Sequence, residues 1–173
     1  MFCACTRRNS RYNAAMLFVD ISLRRQELAL RDGGPEGAVV WRAPVSSGKN
    51  GIGMEEGSFR TPVGLFEIGE CIGGGLPANT IFRGRRPVGS WPDGIPEGLT
   101  PDADLILGRI LRLRGLDPGN RNTWNRFIYI HGTNDTASLG TPASHGCIRL
   151  APEDAVELFE RCPPGTRVSV SAS

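Results

Sequence analysis

Twenty-three glycines and thirteen prolines cut this 173-residue chain into short segments, and that punctuation most limits what it can fold into. Both residues interrupt helices and end strands. With only 7% aromatic residues beside them, the composition favours a turn-rich, mostly-β protein over a helical bundle. The length suits one domain with one core.

The segments between turns read as strands. Residues 17–23 and 27–31 predict two strands around the polar turn Arg24-Arg25-Gln26, and Asp32-Gly33-Gly34-Pro35 closes the second. Ala38 to Val45 predicts a third, with Pro44 marking an edge or an end. Glycines 48, 51, 53 and 57 predict a mobile loop up to the Thr61-Pro62 turn, followed by a strand from Gly64 to Ile68. Residues 70–101 have no regular period, and a loop that long suggests a lid or cleft wall. In Asp104 to Arg114, alternating Leu105, Leu107, Leu111 and Leu113 fit a strand, while Ile106, Ile110 and Leu113 also fit a helix. Arg126 to His131 predicts a strand ending at the histidine, and residues 132–143 a polar loop. Pro152-Glu153-Asp154 opens a helix with proline in the first turn and acids at its positive end. Ala155, Leu158, Phe159 and Cys162 form its apolar stripe, Pro163-Pro164-Gly165 stops it, and Thr166 to Val170 gives a last strand.

The chemistry concentrates in one place. The chain has two histidines, His131 and His145, and both lie in the region that carries Ser144-His145-Gly146-Cys147-Ile148-Arg149-Leu150. A thiol is a nucleophile when a base or positive field produces its thiolate. A glycine before it lets an oxyanion approach backbone N–H groups. The arrangement predicts a Cys/His acyl-transfer site. The competing readings are a buried core thiol at Cys147, a histidine bonded to backbone at His131, and a zinc site from His131, His145 and Cys147. No acid accompanies those three at a zinc-enzyme spacing, so no metal or other cofactor is expected.

The pattern His131-Gly132-Thr133, a loop, then Ser144-His145-Gly146-Cys147-Ile148-Arg149 resembles the L,D-transpeptidase catalytic domain (YkuD) family. Pro44-Val45-Ser46-Ser47-Gly48-Lys49 and Thr61-Pro62-Val63-Gly64-Leu65-Phe66 resemble two further segments of that family in the same order. The resemblance covers roughly residues 16–170 and implies a single mostly-β domain, a β-sandwich or barrel with one clear helix. It implies Cys147 as nucleophile, His131 as base, and the Gly132 carbonyl as the group that orients the ring. Asn134 and Asp135 are the alternatives for that last role. Gly146 and Cys147 supply the expected oxyanion donors. Ser144, His145 and Arg149 are expected to shape the loop and bind substrate, with Arg149 offering a fork to a carboxylate. The alternative for Arg149 is a structural ion pair with Glu153 or Asp154.

The partners implied are peptidoglycan stem peptides (muropeptides), with covalent inhibition by carbapenems. The expected activity is L,D-carboxypeptidase trimming of recycled tetrapeptides. Its rivals are L,D-transpeptidase crosslinking and a non-catalytic wall-binding module. A net charge of +2 gives no reason to expect nucleic acid as a partner. The cluster Arg83, Arg85 and Arg86 reads as a solvated loop. Cysteines at 3, 5, 71, 147 and 162 form no disulfide framework and suit a reducing compartment. Cys3-Ala4-Cys5 reads as part of a disordered tail over residues 1–15. The apolar run Ala14 to Val19 stops at Asp20, too short for a signal peptide or a membrane span. The expected location is cytoplasmic, with no membrane partner; the alternative is periplasmic.

Overall fold

The computed structural model describes residues 16–173, so the expected tail, with Cys3 and Cys5, lies outside the described residues. Ten strands and one α-helix follow in the order β1 (Leu17–Ser22), β2 (Glu27–Asp32), β3 (Ala38–Pro44), β4 (Gly64–Ile72), β5 (Thr80–Arg83), β6 (Arg86–Ser90), β7 (Ile106–Gly115), β8 (Tyr129–Thr133), β9 (Ile148–Leu150), α1 (Pro152–Arg161) and β10 (Arg167–Ser171). The mostly-β single domain is as expected. Its hydrogen bonds run as one open sheet, β3-β2-β1-β10-β4-β7-β5-β6, and β7 also carries β8, which carries β9. β1 lies parallel to β10, so the first and last strands are neighbours.

Alternation explains the core. Val19 and Ile21 of β1, Leu28 and Leu30 of β2, Phe66 and Ile68 of β4, and Val168 and Val170 of β10 all point into one apolar cluster. Helix α1 closes that cluster with Ala155, Leu158, Phe159 and Cys162, the stripe its spacing predicts. Pro152 stands at its start, with Glu153 and Asp154 in the first turn. Cys162 is buried, and burial pushes its thiol up to about 12. Among the described residues, no helix is long and apolar enough to cross a membrane.

Two regions depart from expectation. Residues 70–101 are not one loop: they hold the end of β4 and the β5–β6 hairpin. Ile81 of this hairpin packs with Leu105 and Leu107, and Trp91, Ile95 and Leu99 lie against that small core. Irregular spacing hid the strands because β5 and β6 are four and five residues long, with a register shift between Ile81 and Phe82. In 104–114 the strand reading holds, and a bulge between Leu107 and Ile110 lets β7 serve β5, β4 and β8. The predicted strand 126–131 begins three residues late, because Phe127 has φ 56° and cannot extend. It also runs past the histidine, so His131 is the middle residue of β8 rather than its end.

Candidate active site

β8 and β9 build the site by their register. The two strands are parallel, with Ile130 opposite Ile148, His131 opposite Arg149 and Gly132 opposite Leu150. Ile130, Ile148 and Leu150 enter the core. Alternation therefore puts Tyr129, His131 and Arg149 on the opposite face. Cys147, one residue before β9, joins them: its Sγ accepts the Tyr129 N–H at 3.4 Å and faces the Phe127 carbonyl at 3.5 Å.

The loop before Cys147 is held on both sides. Ser46 and Arg149 exchange two backbone hydrogen bonds, Lys49 N–H donates to the Ser144 carbonyl, and Ser144 N–H donates to Ser47. Thr61 Oγ1 accepts the Gly48 N–H at 2.8 Å and donates to the Gly146 carbonyl at 2.9 Å. The two upstream segments read from sequence are thus the cradle of the cysteine loop. Gly146 has φ 118°, where a side chain is strained, and a Cβ there would also crowd the Arg60 carbonyl at 3.1 Å.

Peptide planarity then fixes one donor. With the Gly146 carbonyl held by Thr61, the Cys147 N–H of the same trans peptide points the other way. Among the described residues that N–H has no partner. The Gly146 N–H differs: it donates to Ser144 Oγ at 3.1 Å, and Ser144 Oγ in turn donates to the Cys147 carbonyl at 2.6 Å. Of the two predicted oxyanion donors, Cys147 is free and Gly146 is engaged. Ser144 is buried at 1% exposure and ties the loop together from within.

His131 is buried, and its Nδ1 lies 2.8 Å from the Gly132 carbonyl. A carbonyl only accepts, so Nδ1 carries the proton and Nε2 is left as the basic nitrogen. Burial lowers its pKa, which keeps the ring neutral near pH 7. Asn134 and Asp135 do not touch it: Asn134 is bonded to Leu105, Pro101 and Ala103, and Asp135 to Arg149. The thiol is no standing thiolate. Burial around the sulfur pushes Cys147 up to about 11, and the nearby charges of Arg126 and Arg149 pull down against it without prevailing. No hydrogen bond joins Sγ to His131 among the described residues.

Arg149 requires a correction. Its guanidinium is buried, with Nη1 3.0 Å from Asp104, and Nη2 bonded to Ser46 Oγ, Ser138 Oγ and Asp135. Its Nε is buried without a partner, so no open fork remains for a substrate carboxylate. The partners are Asp104 and Asp135, not Glu153 or Asp154. His145 remains exposed, its Nδ1 3.1 Å from Asp104 and its ring edge-on to Phe59 at 5.9 Å. Burial would raise the Asp104 carboxyl, but Arg149 and His145 hold it below the ordinary range.

Sequence reasoning missed Asp104, Arg126, Phe59 and Phe127, none of which lies in a motif. Among the described residues, three of the four non-glycine residues at positive φ lie by this site: Phe127 presents its carbonyl to Cys147 Sγ, Arg85 stands over the Phe127 ring, and Phe59 meets the His145 ring. Backbone strain clusters at working sites, and no sequence pattern announces it. Among the described residues, no group of three His, Cys, Asp or Glu side chains converges as metal ligands.

Known proteins share this architecture. The chain is 52% identical over 80 residues to a putative L,D-transpeptidase of Fuscovulum blasticum, covering 46% of this chain and 36% of that protein. It is 50% identical over 42 residues to the putative L,D-transpeptidase YkuD of Bacillus subtilis, covering 24% and 26%. The matching stretches thus span well under two thirds of these relatives. A solved L,D-transpeptidase from Mycobacterium smegmatis superposes with TM-score 0.56 at 19% identity, over 91% of this chain and 59% of that one. L,D-transpeptidase 3 of Mycobacterium tuberculosis, solved with a faropenem-derived adduct, gives 0.53 at 20% identity, over 90% and 60%. These two likenesses concern the fold. Residues 16–170, the span that builds both the sheet and the cysteine loop, match the L,D-transpeptidase catalytic domain model, and the chain belongs to that family.

Proposed function

We propose that this chain is a cysteine acyl-transfer enzyme that cleaves the diamino acid–D-Ala bond of peptidoglycan stem tetrapeptides with water as acceptor, an L,D-carboxypeptidase. The observation that carries the chemistry is that Cys147 and a neutral, tautomer-fixed His131 share one face of the β8–β9 pair, with the Cys147 N–H free. The cysteine waits as a thiol, so deprotonation and attack go together. Sγ turns from the Phe127 carbonyl, gives its proton to His131 Nε2 and adds to the carbonyl carbon of the third residue. The Cys147 N–H faces the developing oxyanion. The C–N bond then breaks, D-Ala leaves with the proton from His131, and a thioester remains. Water, deprotonated by His131, adds to the thioester and releases the tripeptide and the thiol.

Cys147 and Cys162 are unbridged, which suits a reducing compartment where soluble stems are the available substrate. We therefore place the activity inside the cell. A second reading, transfer of the same thioester to an amine of another stem, is favoured by the relatives' names as L,D-transpeptidases. Incubation of the purified chain with disaccharide tetrapeptide, read by mass spectrometry, should give tripeptide and D-Ala. Crosslinked dimers as the main product would replace the first reading with the second. Absence of any product, or of an adduct at Cys147 with a carbapenem, would count against both.

A further inference from the structure

With Arg149 committed to its acids, the substrate carboxylates of the proposed reaction need another partner. Two guanidiniums lie on the ring of Phe127, whose carbonyl faces Cys147 Sγ. Arg112 stacks on Phe127 at 5.4 Å and on Trp124 at 3.5 Å, but its Nη1 is bonded to Glu70 and its Nη2 to the Trp124 carbonyl. Arg85 is different. It stands over Phe127 at 5.3 Å, and its one hydrogen bond among the described residues runs from Nη1 to Tyr129 Oη at 3.3 Å. Tyr129 shares the site face with Cys147 and donates its N–H to Sγ. Glu70, whose charge reaches Arg85, is itself paired with Arg112.

The backbone adds a second observation. Arg85 lies at the β5–β6 turn with φ 66°, after Gly84 at φ 55°. Two successive positive φ values suit a two-residue hairpin turn, where glycine or asparagine is the comfortable choice for the second position. An arginine here accepts strain, and its side chain reaches back to the cysteine's neighbours.

We infer that Arg85 is the specificity-determining residue that holds a substrate carboxylate beside Cys147, through the Nε and Nη2 edge left open by its bond to Tyr129. The inference rests on the stem-peptide reading above. Tyr129 and Phe127 fix the plane of the guanidinium, and a planar fork so fixed recognises a carboxylate in two-point fashion. The ligand is therefore an anionic peptide, and the cluster Arg83, Arg85 and Arg86 is more than a solvated loop. Two carboxylates qualify: that of the terminal D-Ala and that of the third-position diamino acid's side chain.

The test compares three tetrapeptides, one with both carboxyls free and one with each amidated in turn. Wild type should prefer the free acid over one of the amides, and that amide identifies the carboxylate. Arg85→Gln should raise KM for the free acid about 10- to 100-fold, as for loss of one charge-assisted pair, and erase the preference. Arg85→Lys should restore part of it. Arg83→Gln, on the exposed side of the same hairpin, should keep it, and Arg85→Gln should keep the wild-type rate of Cys147 alkylation by a neutral reagent. An unchanged acid-to-amide ratio in Arg85→Gln would overturn the inference while leaving the carboxypeptidase reading in place. Should wild type release no D-Ala, that reading fails, and binding of the same peptides to Cys147→Ala decides separately. Equal Kd for acid and amides there would overturn the role of Arg85, and a preference lost on adding Arg85→Gln would support it.

Discussion

The two faces of the β8–β9 pair are built from alternate residues of the same short strands, yet they obey different rules. Toward the core stand Ile130, Ile148 and Leu150, each wholly buried among aliphatic neighbours and helix α1. Toward the cleft stand Tyr129, His131, Cys147 and Arg149, also largely buried but tied by hydrogen bonds and charge. On the first face burial stabilises, and shape is the requirement. On the second, burial costs free energy unless each polar atom finds a partner, and it sets the protonation of the groups it covers. The comparison teaches that here one strand pair delivers rigidity and reactivity together. The apolar side fixes positions, and the polar side turns burial into a protonated thiol and a neutral imidazole.

Exchange of function between the faces is the strongest way to break this comparison. Cys147→Ala should abolish D-Ala release, and His131→Ala should slow acylation about 10²–10⁴-fold, the usual range for a positioned acid–base group. Stopped-flow acylation would show it. Normal turnover in either variant would refute the division of roles.

Stability is the next readout. Ile148→Ala should cost about 2–5 kcal/mol, because β9 and α1 cannot collapse into the cavity. Arg149→Met should cost less, about 1–3 kcal/mol, since Asp104 and Asp135 lose their partner but keep contact with water. Urea unfolding of the two variants would rank them, and the reverse order would show that the polar face carries more of the fold than proposed.

The smallest effects concern pH. Alkylation of Cys147 in His131→Ala should keep rising toward about 11, rather than levelling near the ordinary 9.0. Stability should shift too. His131 has a folded pKa below its unfolded value, so the unfolded chain takes up the proton first. Its contribution is intact above about 6.5 and is lost as pH falls toward the lowered folded value. His131→Gln should flatten that part of the profile, and an unaltered profile would show that another group titrates there.

Much of this was legible in the sequence, for reasons visible residue by residue. Leu107, Leu111 and Leu113 alternate in β7, and α1 declares itself through Pro152 and the spacing of its apolar stripe. The histidine and cysteine segments prompted the acyl-transfer reading because few residue types can perform that chemistry. What escaped notice depends on long-range pairing. Arg149 reads as a free fork until Asp104, 45 positions away, and Asp135, 14 away, are seen on it. The β5–β6 hairpin is too short to show a period, and the broken start of β8 follows from the backbone of Phe127.

Thr61 carries a consequence for timing. Its hydroxyl fixes the Gly146 carbonyl, and with it the direction of the Cys147 N–H, across 85 positions of sequence. Contacts of that separation form only when the intervening chain has closed. A nascent or unfolded copy therefore carries an ordinary thiol with no oriented donor. On the proposed mechanism, activity is then a report of completed folding, and partly folded molecules would be silent.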